Sequence, residues 1–154
     1  MAAAHEFAVH VEWTGDRGTG TSSYRAYGRQ NVIAAAGKPS IAGSAARVFH
    51  GDLDRWNPEE LLVAALSECH MLSYLHSAVR AGVTVTSYTD AATGTMDQVG
   101  DGGRFTEVVL RPRVGLLDES QRELADSLHH EASENCFIAA SVNFPVRHEP
   151  VAPA

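Results

Sequence analysis

One helix-forming segment, from Asn57 to Gly82, constrains the fold of this chain more than any other. Asn57 is a favoured N-cap, Pro58 suits the first helical position, and Glu59-Glu60 lies where the positive end of a helix dipole stabilises negative charge. Gly82 is typical of the residue that follows the last helical turn. The pattern predicts one long helix from Pro58 to about Ala81.

Mostly apolar side chains follow one face of this helix at the 3.6-residue period. They are Leu62, Ala65, Leu66, Cys69, Leu72 and His76, and the face is widened by Leu61, Val63, Ala64 and Leu75. An apolar surface of this width has to be covered from several directions. We therefore expect the helix to be central and buried on more than one side.

Charge and hydropathy exclude several classes of partner. The chain has 154 residues with 12 basic and 19 acidic side chains, a net charge of −7, and Lys38 is its single lysine. Nucleic acids and anionic membranes attract clustered lysine and arginine, so neither is an expected partner. The longest apolar run, residues 61–66, is far shorter than the roughly 20 residues of a membrane-spanning helix. The N-terminus lacks the basic and apolar segments of a signal peptide, so we predict a cytoplasmic protein with a single domain over residues 1–154.

The region before the long helix predicts strands. Residues 5–13 alternate apolar and polar side chains, which is typical of a half-buried strand. The following segments predict a glycine-rich turn at 15–20, a return strand at 21–28, a third strand at 30–36 and a long loop at 37–56.

The region after the long helix predicts a hairpin and a second helix. Residues 83–97 and 104–114 alternate β-branched and polar side chains around a glycine-rich turn. Asp118 and Gln121 have the spacing of a capping box, which predicts a helix start. A last strand is predicted at 142–148. The order β-β-β-α-β-β-α-β, with two long helices against mostly antiparallel sheet, indicates an α+β fold.

The two cysteines, Cys69 and Cys136, are too few for a secreted disulfide framework and form no C-x-x-C motif. Cys69 lies in the middle of the long helix, where packing is its simplest role. Residues 133–135 predict the cap of a short helix from Cys136 to about Ser141. Because a helix N-terminus favours the thiolate, Cys136 is expected to be an acidic thiol there, with packing as the alternative role. Spacing alone leaves open whether the two thiols meet.

The segment from Asn57 to Met71, with the sequence NPEELLVAALSECHM, resembles the signature helix of the OsmC/Ohr family of thiol peroxidases. It has that family's Asn-Pro-Glu opening, its small-residue helix and its cysteine ten positions after the glutamate. Cys136, followed by FIAAS, resembles the family's second cysteine. The resemblance covers nearly the whole chain and implies an OsmC-like α+β fold assembled as an intertwined homodimer.

This resemblance also implies a chemistry, that of a cysteine-based peroxidase that reduces organic hydroperoxides in a stress response, without a cofactor or metal. Cys69 would attack the O–O bond and become a sulfenate, and Cys136 would resolve it to an intramolecular disulfide. An external dithiol, lipoyl-type in better-known members, would reduce that disulfide. Glu59 matches the family's acidic site residue, which orients an arginine that lowers the pKa of the thiol.

Four arginines are candidates for that cation. Arg17, in the glycine-rich turn, matches one family arrangement, and Arg47, in the loop before the long helix, roughly matches another. Arg25 and Arg55 are further candidates. The residue after the second cysteine departs from the family, because Phe137 stands where better-known members have proline. We therefore expect the substrate pocket to differ from theirs.

Helix geometry predicts the oligomeric state. Glu59 and Cys69 are ten residues apart, about 15 Å along one helix, so they cannot share a site within one chain. Two copies of the helix packed antiparallel about a two-fold axis near residue 64 would place Glu59 of one copy beside Cys69 of the other. Ala64 and Ala65 are small enough for close approach there. The prediction is an obligate homodimer with two composite sites.

Three alternative functions compete with the peroxidase. Zinc ligands of the right type are present as Cys69, His70, His76, His129, His130 and Cys136, but their spacing fits no common site, and exposed helical histidines are expected instead. A cysteine hydrolase would need a histidine against one cysteine, and no motif places one there. The remaining alternative is a non-catalytic small-molecule binder of the same fold, whose thiols would be inert.

Overall fold

The computed structural model describes residues 3–152, and the chain divides into two compact units, Met1–Leu61 and Leu62–Ala154. The described residues contain two long helices and eight strands, two strands more than predicted. Four of the five strand pairs are antiparallel. The predicted α+β class, with two helices and mostly antiparallel sheet, is confirmed.

The first unit contains a three-stranded antiparallel sheet in the order β1-β2-β3. Its strands are β1 (His10–Trp13), β2 (Asn31–Ala34) and β3 (Ile41–Gly43). β1 pairs with β2 from His10 opposite Ala34 to Trp13 opposite Asn31. β3 lies inside the segment predicted to be a loop, so that part of the prediction is wrong.

Residues 21–28 form consecutive turns instead of the predicted return strand, and that prediction is wrong. The Arg29 guanidinium lies over the rings of Tyr24 and Tyr27, 4.5 and 4.2 Å from their centroids. Arg29 also donates hydrogen bonds to the carbonyl oxygens of both tyrosines. These contacts hold residues 21–28 in compact turns, so this segment cannot extend alongside β1. The strand that pairs with β1 is instead β2.

The predicted half-buried strand at residues 5–13 is also wrong. Only His10–Trp13 form a strand, and every residue of that strand is exposed. The apolar side chains of the segment remain on the surface, from Phe7 at 92% exposed to Trp13 at 45%. The apolar face predicted from the alternation is present, but nothing within residues 3–152 covers it.

The long helix α1 runs from Pro58 to Ala81, as predicted. Asn57 Oδ1 accepts the backbone N–H of Glu60 at 2.8 Å, and the Glu60 carboxylate accepts the N–H of Asn57 at 3.4 Å. This reciprocal capping box fixes the first turn. Gly82 has a φ of 72°, the left-handed conformation that ends many helices.

The buried face of α1 is rotated from the predicted stripe. Its buried residues are Leu66, His70, Tyr74, Ser77 and Ala78. Leu72 is 56% exposed, so its predicted burial is wrong, and His76, on the same predicted stripe, is also exposed. Ala64, Glu68, Leu72 and His76, at intervals of four residues, lie on an outward face. In a single chain α1 is therefore not covered on all sides.

The second unit has four strands between its helices where two were predicted. They are β4 (Val85–Asp90), β5 (Thr93–Val99), β6 (Gly102–Leu110) and β7 (Pro112–Leu116). β5 and β6 form a hairpin about the predicted turn, whereas β4 pairs with β7. The missed breaks fall at Asp90 and Arg111, where the Asp90 carboxylate accepts the Arg111 N–H at 2.6 Å. A final strand, β8 (Val146–His148), pairs with β6 in parallel and is shorter than predicted.

The second long helix, α2, runs from Arg122 to Glu134. Asp118 caps a short 3₁₀ turn before it by accepting the N–H of Ser120. Gln121 donates to the carbonyl oxygen of Gly82 at the end of α1, so the predicted capping box with Asp118 is wrong. α2 consequently begins four residues later than predicted.

Two apolar clusters form the interior of the second unit. The larger joins α1, α2 and β7 through Tyr74, Ala78, Val83, Val114, Leu116, Ala125, Leu128 and Ala132. The smaller joins α1 and β6 through Leu66, Val108 and Leu110. Both clusters include α1, which makes this helix the centre of the unit. No helix within residues 3–152 is both long and apolar enough to cross a membrane.

Candidate active site

The second unit brings Cys69 and Cys136 together, although they are 67 residues apart in the sequence. Cys69 lies on α1 and is partly exposed, whereas Cys136 lies two residues beyond the end of α2 and is 2% exposed. Both are free thiols, and Cys69 lies close enough to Cys136 to raise the pKa of the Cys136 thiol. Proximity of the two cysteines is the first requirement for a disulfide.

The backbone after α2 fixes the position of Cys136. Its carbonyl oxygen accepts the N–H of Ala140 at 3.0 Å, and its sulfur accepts the N–H of Ala139 at 3.4 Å. This turn leads into a 3₁₀ segment, Ala139–Ser141. The predicted cap at residues 133–135 is wrong, because Ser133 and Glu134 are still in α2. Cys136 therefore precedes a single tight turn and not an α-helix.

Burial decides the protonation of Cys136. Burial, followed by the neighbouring Cys69 side chain, raises the pKa of the Cys136 thiol to about 11, against the lowering effect of the Ala139 and Ile138 N–H groups. The expectation that Cys136 would be the acidic thiol is therefore wrong. The short turn supplies too little positive dipole to offset the loss of solvent. Cys136 keeps its proton at neutral pH.

Polar side chains connect the two helices that lead to the cysteines. Four hydrogen bonds run between α1 and the α2 segment: His70 with His129, Ser73 to Asn135, Tyr74 to Ala125 and Ser77 to Glu131. The bonds form two rows, one through His70 and Tyr74 and one through Ser73 and Ser77. In each row, the residue number rises along α1 while that of the partner falls along α2. The helices are therefore antiparallel, and Cys69 directly precedes His70 just as Cys136 directly follows Asn135.

Three histidines and a tyrosine form a buried cluster in this interface. His70 and His129 are 2% and 1% exposed, with His70 Nε2 3.0 Å from His129 Nδ1. The His148 ring stacks on that of His70, with centroids 5.5 Å apart, and Tyr74 stacks on His129 at 4.2 Å. The expectation that these helical histidines would be exposed is wrong for His70 and His129. It holds for His76 and His130, whose side chains are exposed.

This cluster is neutral at physiological pH. Burial, followed by repulsion from His148, lowers the pKa of His70 to about 4, while the charge of Asp90 opposes the shift. Burial, followed by repulsion from His70 and His148, lowers the pKa of His129 to about 3. Two neutral imidazoles can share one proton across a hydrogen bond. Their facing nitrogens are thus engaged with each other and are not free to bind a metal ion.

A metal centre finds no support elsewhere in the described part of the chain. Within residues 3–152, no group of three or more histidine, cysteine or acidic side chains is arranged to hold a metal ion.

Glu59 lies in the first turn of α1, in the part of the helix that belongs to the first unit. Its Oε2 atom is buried and has no hydrogen-bond partner among residues 3–152. A buried carboxylate oxygen without a partner is energetically costly unless a cation or donor approaches it. The residue therefore has the chemistry of one half of an ion pair.

Arg17 and Arg47 are both exposed, and neither side chain has a hydrogen bond or ion pair within residues 3–152. Arg17 is presented by a rigid turn in which Asp16 Oδ1 accepts the N–H groups of Gly18 and Gly20. Arg47 begins a 3₁₀ turn. The turn around Arg17 is thus fixed from within, and its guanidinium is free to bind an acidic partner.

Sequence analysis missed the histidine pair as a feature of the site. One signal for it was available, since Leu66, His70, Tyr74 and Ala78 follow one another at intervals of four along α1. That spacing places His70 on an apolar face. No comparable signal in the sequence indicates that His129 lies opposite, because the two residues are 59 positions apart.

We predict that the buried histidines make the second unit sensitive to acid. Their folded pKa values lie below the ordinary value of 6.5, so the unfolded chain binds protons first as the pH falls below about 6.5. The free energy of unfolding should be constant above that pH. It should fall by up to about 1.4 kcal/mol per pH unit for each histidine between pH 6 and 4. Urea denaturation at fixed pH values measures this slope.

The matched comparison uses His130, which adjoins His129 but is exposed. The double variant His70→Gln/His129→Asn should lose most of the slope, and His130→Gln should retain it. Equal slopes in the wild type and the double variant would show that other groups cause the acid sensitivity.

Comparison with known proteins identifies the family. The family model for OsmC-like proteins matches residues 50–150. A crystal structure of an OsmC-like protein of unknown function from Vibrio cholerae is 33% identical, with a TM-score of 0.85, and the match covers 96% of this chain and 100% of that one. None of the curated proteins compared with this chain matches it.

More distant structures share the fold. An organic hydroperoxide resistance protein from Legionella pneumophila has a TM-score of 0.69 at 14% identity, covering 99% of this chain and 100% of that one. One from Elizabethkingia anophelis has a TM-score of 0.68 at 17% identity, covering 98% and 99%. The family model and the 33% identical structure establish that the chain belongs to the OsmC-like family.

Proposed function

We propose that this protein is a thiol-dependent peroxidase that reduces organic hydroperoxides. The observation that supports it most is the proximity of a partly exposed Cys69 to a buried, protonated Cys136. A peroxide can reach the first sulfur, and the second stays reduced until an intermediate forms beside it. Relatives with the same fold are named as organic hydroperoxide resistance proteins.

The first chemical step is attack by the Cys69 thiolate on one oxygen of the hydroperoxide. An S–O bond forms and the O–O bond breaks, so the sulfur is oxidised to a sulfenic acid and the peroxide is reduced. The leaving alkoxide takes up a proton and departs as an alcohol. Cys136 then attacks the Cys69 sulfur. An S–S bond forms, the S–O bond breaks, and the hydroxide leaves as water with the thiol proton of Cys136.

Turnover requires an external dithiol, because formation of the disulfide leaves the protein oxidised by two electrons. Thiol–disulfide exchange through a mixed disulfide returns both cysteines to thiols. Family resemblance favours a lipoyl-type dithiol. A cytoplasmic role in protection against peroxide stress, carried out by residues 1–154 as one OsmC-like domain, completes the proposal.

The buried Oε2 atom of Glu59, which has no hydrogen-bond partner within residues 3–152, calls for a cation. We infer that an arginine pairs with Glu59 and is thereby oriented toward the reacting thiol. Arg17 is the first candidate, since its turn is rigid and its guanidinium has no other partner within residues 3–152, and Arg47 is the second. A cation near the thiol stabilises the thiolate and polarises the peroxide.

The site is proposed to be composite, built by two copies of the chain. Glu59 and Cys69 lie about 15 Å apart along α1, too far for one site. The outward face of α1 exposes Ala64 and Leu72, and an antiparallel second copy crossing near residue 64 would cover it. The exposed apolar residues of β1 and the segment before it are further surface that a second copy would bury.

We predict that one equivalent of cumene hydroperoxide removes both thiols of the reduced wild type, as measured by thiol titration. Cys136→Ser should accumulate a sulfenic acid that dimedone traps, because nothing resolves it. Cys69→Ser should keep its remaining thiol, since Cys136 is buried and protonated. Unchanged wild-type thiols over minutes would rule out the peroxidase and favour a non-catalytic small-molecule binder.

The arginine assignment predicts a loss of Cys69 reactivity in one variant. Arg17→Met should slow oxidation of Cys69 by cumene hydroperoxide about tenfold or more at neutral pH, because a nearby opposite charge favours the thiolate. Lys38→Met, which removes another exposed cation of the same unit, should leave the rate unchanged. A slow Arg47→Met with a normal Arg17→Met would transfer the role to Arg47.

The composite site predicts a dimer in solution. Light scattering at micromolar concentration should give twice the chain mass of 16.5 kDa. Ala64→Trp, at the predicted crossing point, should lower the mass toward that of one chain. Val99→Trp, at the exposed end of the β5–β6 hairpin, should not. A monomeric wild type would refute the composite site.

A further inference from the structure

The hydrogen bond between His70 and His129 joins the two helices that carry the cysteines, close to the thiols. Its nitrogens are 3.0 Å apart and both residues are buried. His70 directly follows Cys69 on α1. His129 lies seven residues, about two helical turns, before Cys136. Of the four hydrogen bonds between these elements, this is the one made between two buried side chains.

This bond specifies a position in a way that apolar packing cannot. One imidazole must donate and the other accept, at one nitrogen on each ring, Nε2 of His70 and Nδ1 of His129. The rings are also held from outside the pair, by His148 against His70 and by Tyr74 against His129. Sliding or rotating either helix by a fraction of a turn would separate the two nitrogens.

Stability alone does not account for this pair. Two buried imidazoles lose their hydration, and the hydrogen bond they gain roughly compensates that loss. Apolar side chains of similar shape would fill the same space at nearly equal or greater stability. The pair fixes the register of the helices at little or no gain in folding free energy.

The geometry points to a positioning role for His70 and His129 in closure of the Cys69–Cys136 disulfide. They hold α1 and α2 in the register from which the Cys136 sulfur can reach the oxidised sulfur of Cys69. This role rests on the proposed function. A disulfide forms only when the Cα atoms are about 4.4–6.8 Å apart with a suitable torsion angle, so a small slip of the helices slows closure. The first oxidation of Cys69 does not depend on that register.

The test separates the two steps and compares three double variants. In His70→Gln/His129→Asn, each amide group lies about as far from its backbone as the imidazole nitrogen it replaces, so the hydrogen bond should be preserved. In His70→Asn/His129→Gln, the same two amides are exchanged, so each lies at the wrong distance from its backbone. His70→Leu/His129→Leu removes the polar groups altogether. His130→Leu, at the exposed neighbour of His129, is the control.

Stopped-flow measurements with cumene hydroperoxide give the rate of Cys69 oxidation, and the loss of the second thiol gives the rate of closure. Oxidation of Cys69 should be unchanged in every variant. Closure should be slowed at least about tenfold in the mismatched amide pair and the leucine pair, since small misplacements of reacting groups cost that much or more. It should stay within about threefold of wild type in the matched amide pair. The slowed variants should also accumulate more Cys69 sulfinic acid.

Equal closure rates in the matched and mismatched amide pairs would overturn the positioning role, and so would a leucine pair that closes at the wild-type rate. The amide pairs contain the same side chains, so the comparison stands even where the leucine pair fails to fold. The thermal unfolding temperature of each variant is measured as well. If the pair had a merely structural role, the closure rate would fall in proportion to the loss of thermal stability.

A second assay keeps this inference separate from the peroxidase proposal. Ellman's reagent forms a mixed disulfide with the partly exposed Cys69 before it reaches the buried Cys136. Cys136 then attacks the Cys69 sulfur, an S–S bond forms, and thionitrobenzoate leaves as a coloured thiolate. The same order of rates among the variants is expected without any peroxide. A wild type that ignores peroxide but closes in this assay would refute only the proposed function.

Discussion

The antiparallel contact between α1 and α2 is the constraint on which the rest of the second unit depends. Cys69 and Cys136 are far apart in the sequence, and each belongs to a different helical segment. Two rows of hydrogen bonds, one through His70 and Tyr74 and one through Ser73 and Ser77, fix how these segments face each other. Burial of the apolar cluster around Tyr74 supplies the driving force for the contact between the helices. Because the hydrophobic effect is not directional, this burial does not select one register. The polar rows then select one register from the many that apolar packing would allow.

The difference in burial between the two cysteines suits them to different roles. A helix N-terminus and loss of solvent act on a thiol in opposite directions, and at Cys136 the loss of solvent is the larger effect. The donors available to its sulfur come from one short turn, whereas the surrounding protein removes nearly all contact with water. A thiol that retains its proton cannot compete for the first oxidant. It therefore suits a resolving role, and the partly exposed Cys69 suits attack on the peroxide.

Local signals in the sequence predicted local structure well, and contacts between distant residues were missed. Asn57, Glu60 and Gly82 set both ends of α1 through bonds within a few residues, and the helix has the predicted bounds. One local contact was missed as well, because Arg29 binds Tyr24 and Tyr27 and this outweighs strand propensity at 21–28. The break in the predicted hairpin strands depends on the Asp90 carboxylate accepting the N–H of Arg111, 21 residues away. The facing of His70 and His129 depends on the α1–α2 register, which no short segment specifies. Cys69 was predicted from the motif on α1 and Cys136 from the segment that follows it, whereas their proximity is a property of the fold.

The first unit and α1 both leave groups that a single chain does not satisfy within residues 3–152. Glu59 buries a carboxylate oxygen without a partner, and β1 exposes apolar side chains on a strand whose alternation is typical of a covered face. The two defects are opposite in kind, since one is a polar atom out of water and the other is apolar surface in water. Folding would ordinarily remove both. A single proposal that covers apolar surface and supplies a cation is more economical than separate explanations for each. The proposed two-fold pairing of α1 would do this, because the helix is long enough to separate Glu59 from Cys69 and carries the small residues Ala64 and Ala65 midway between them.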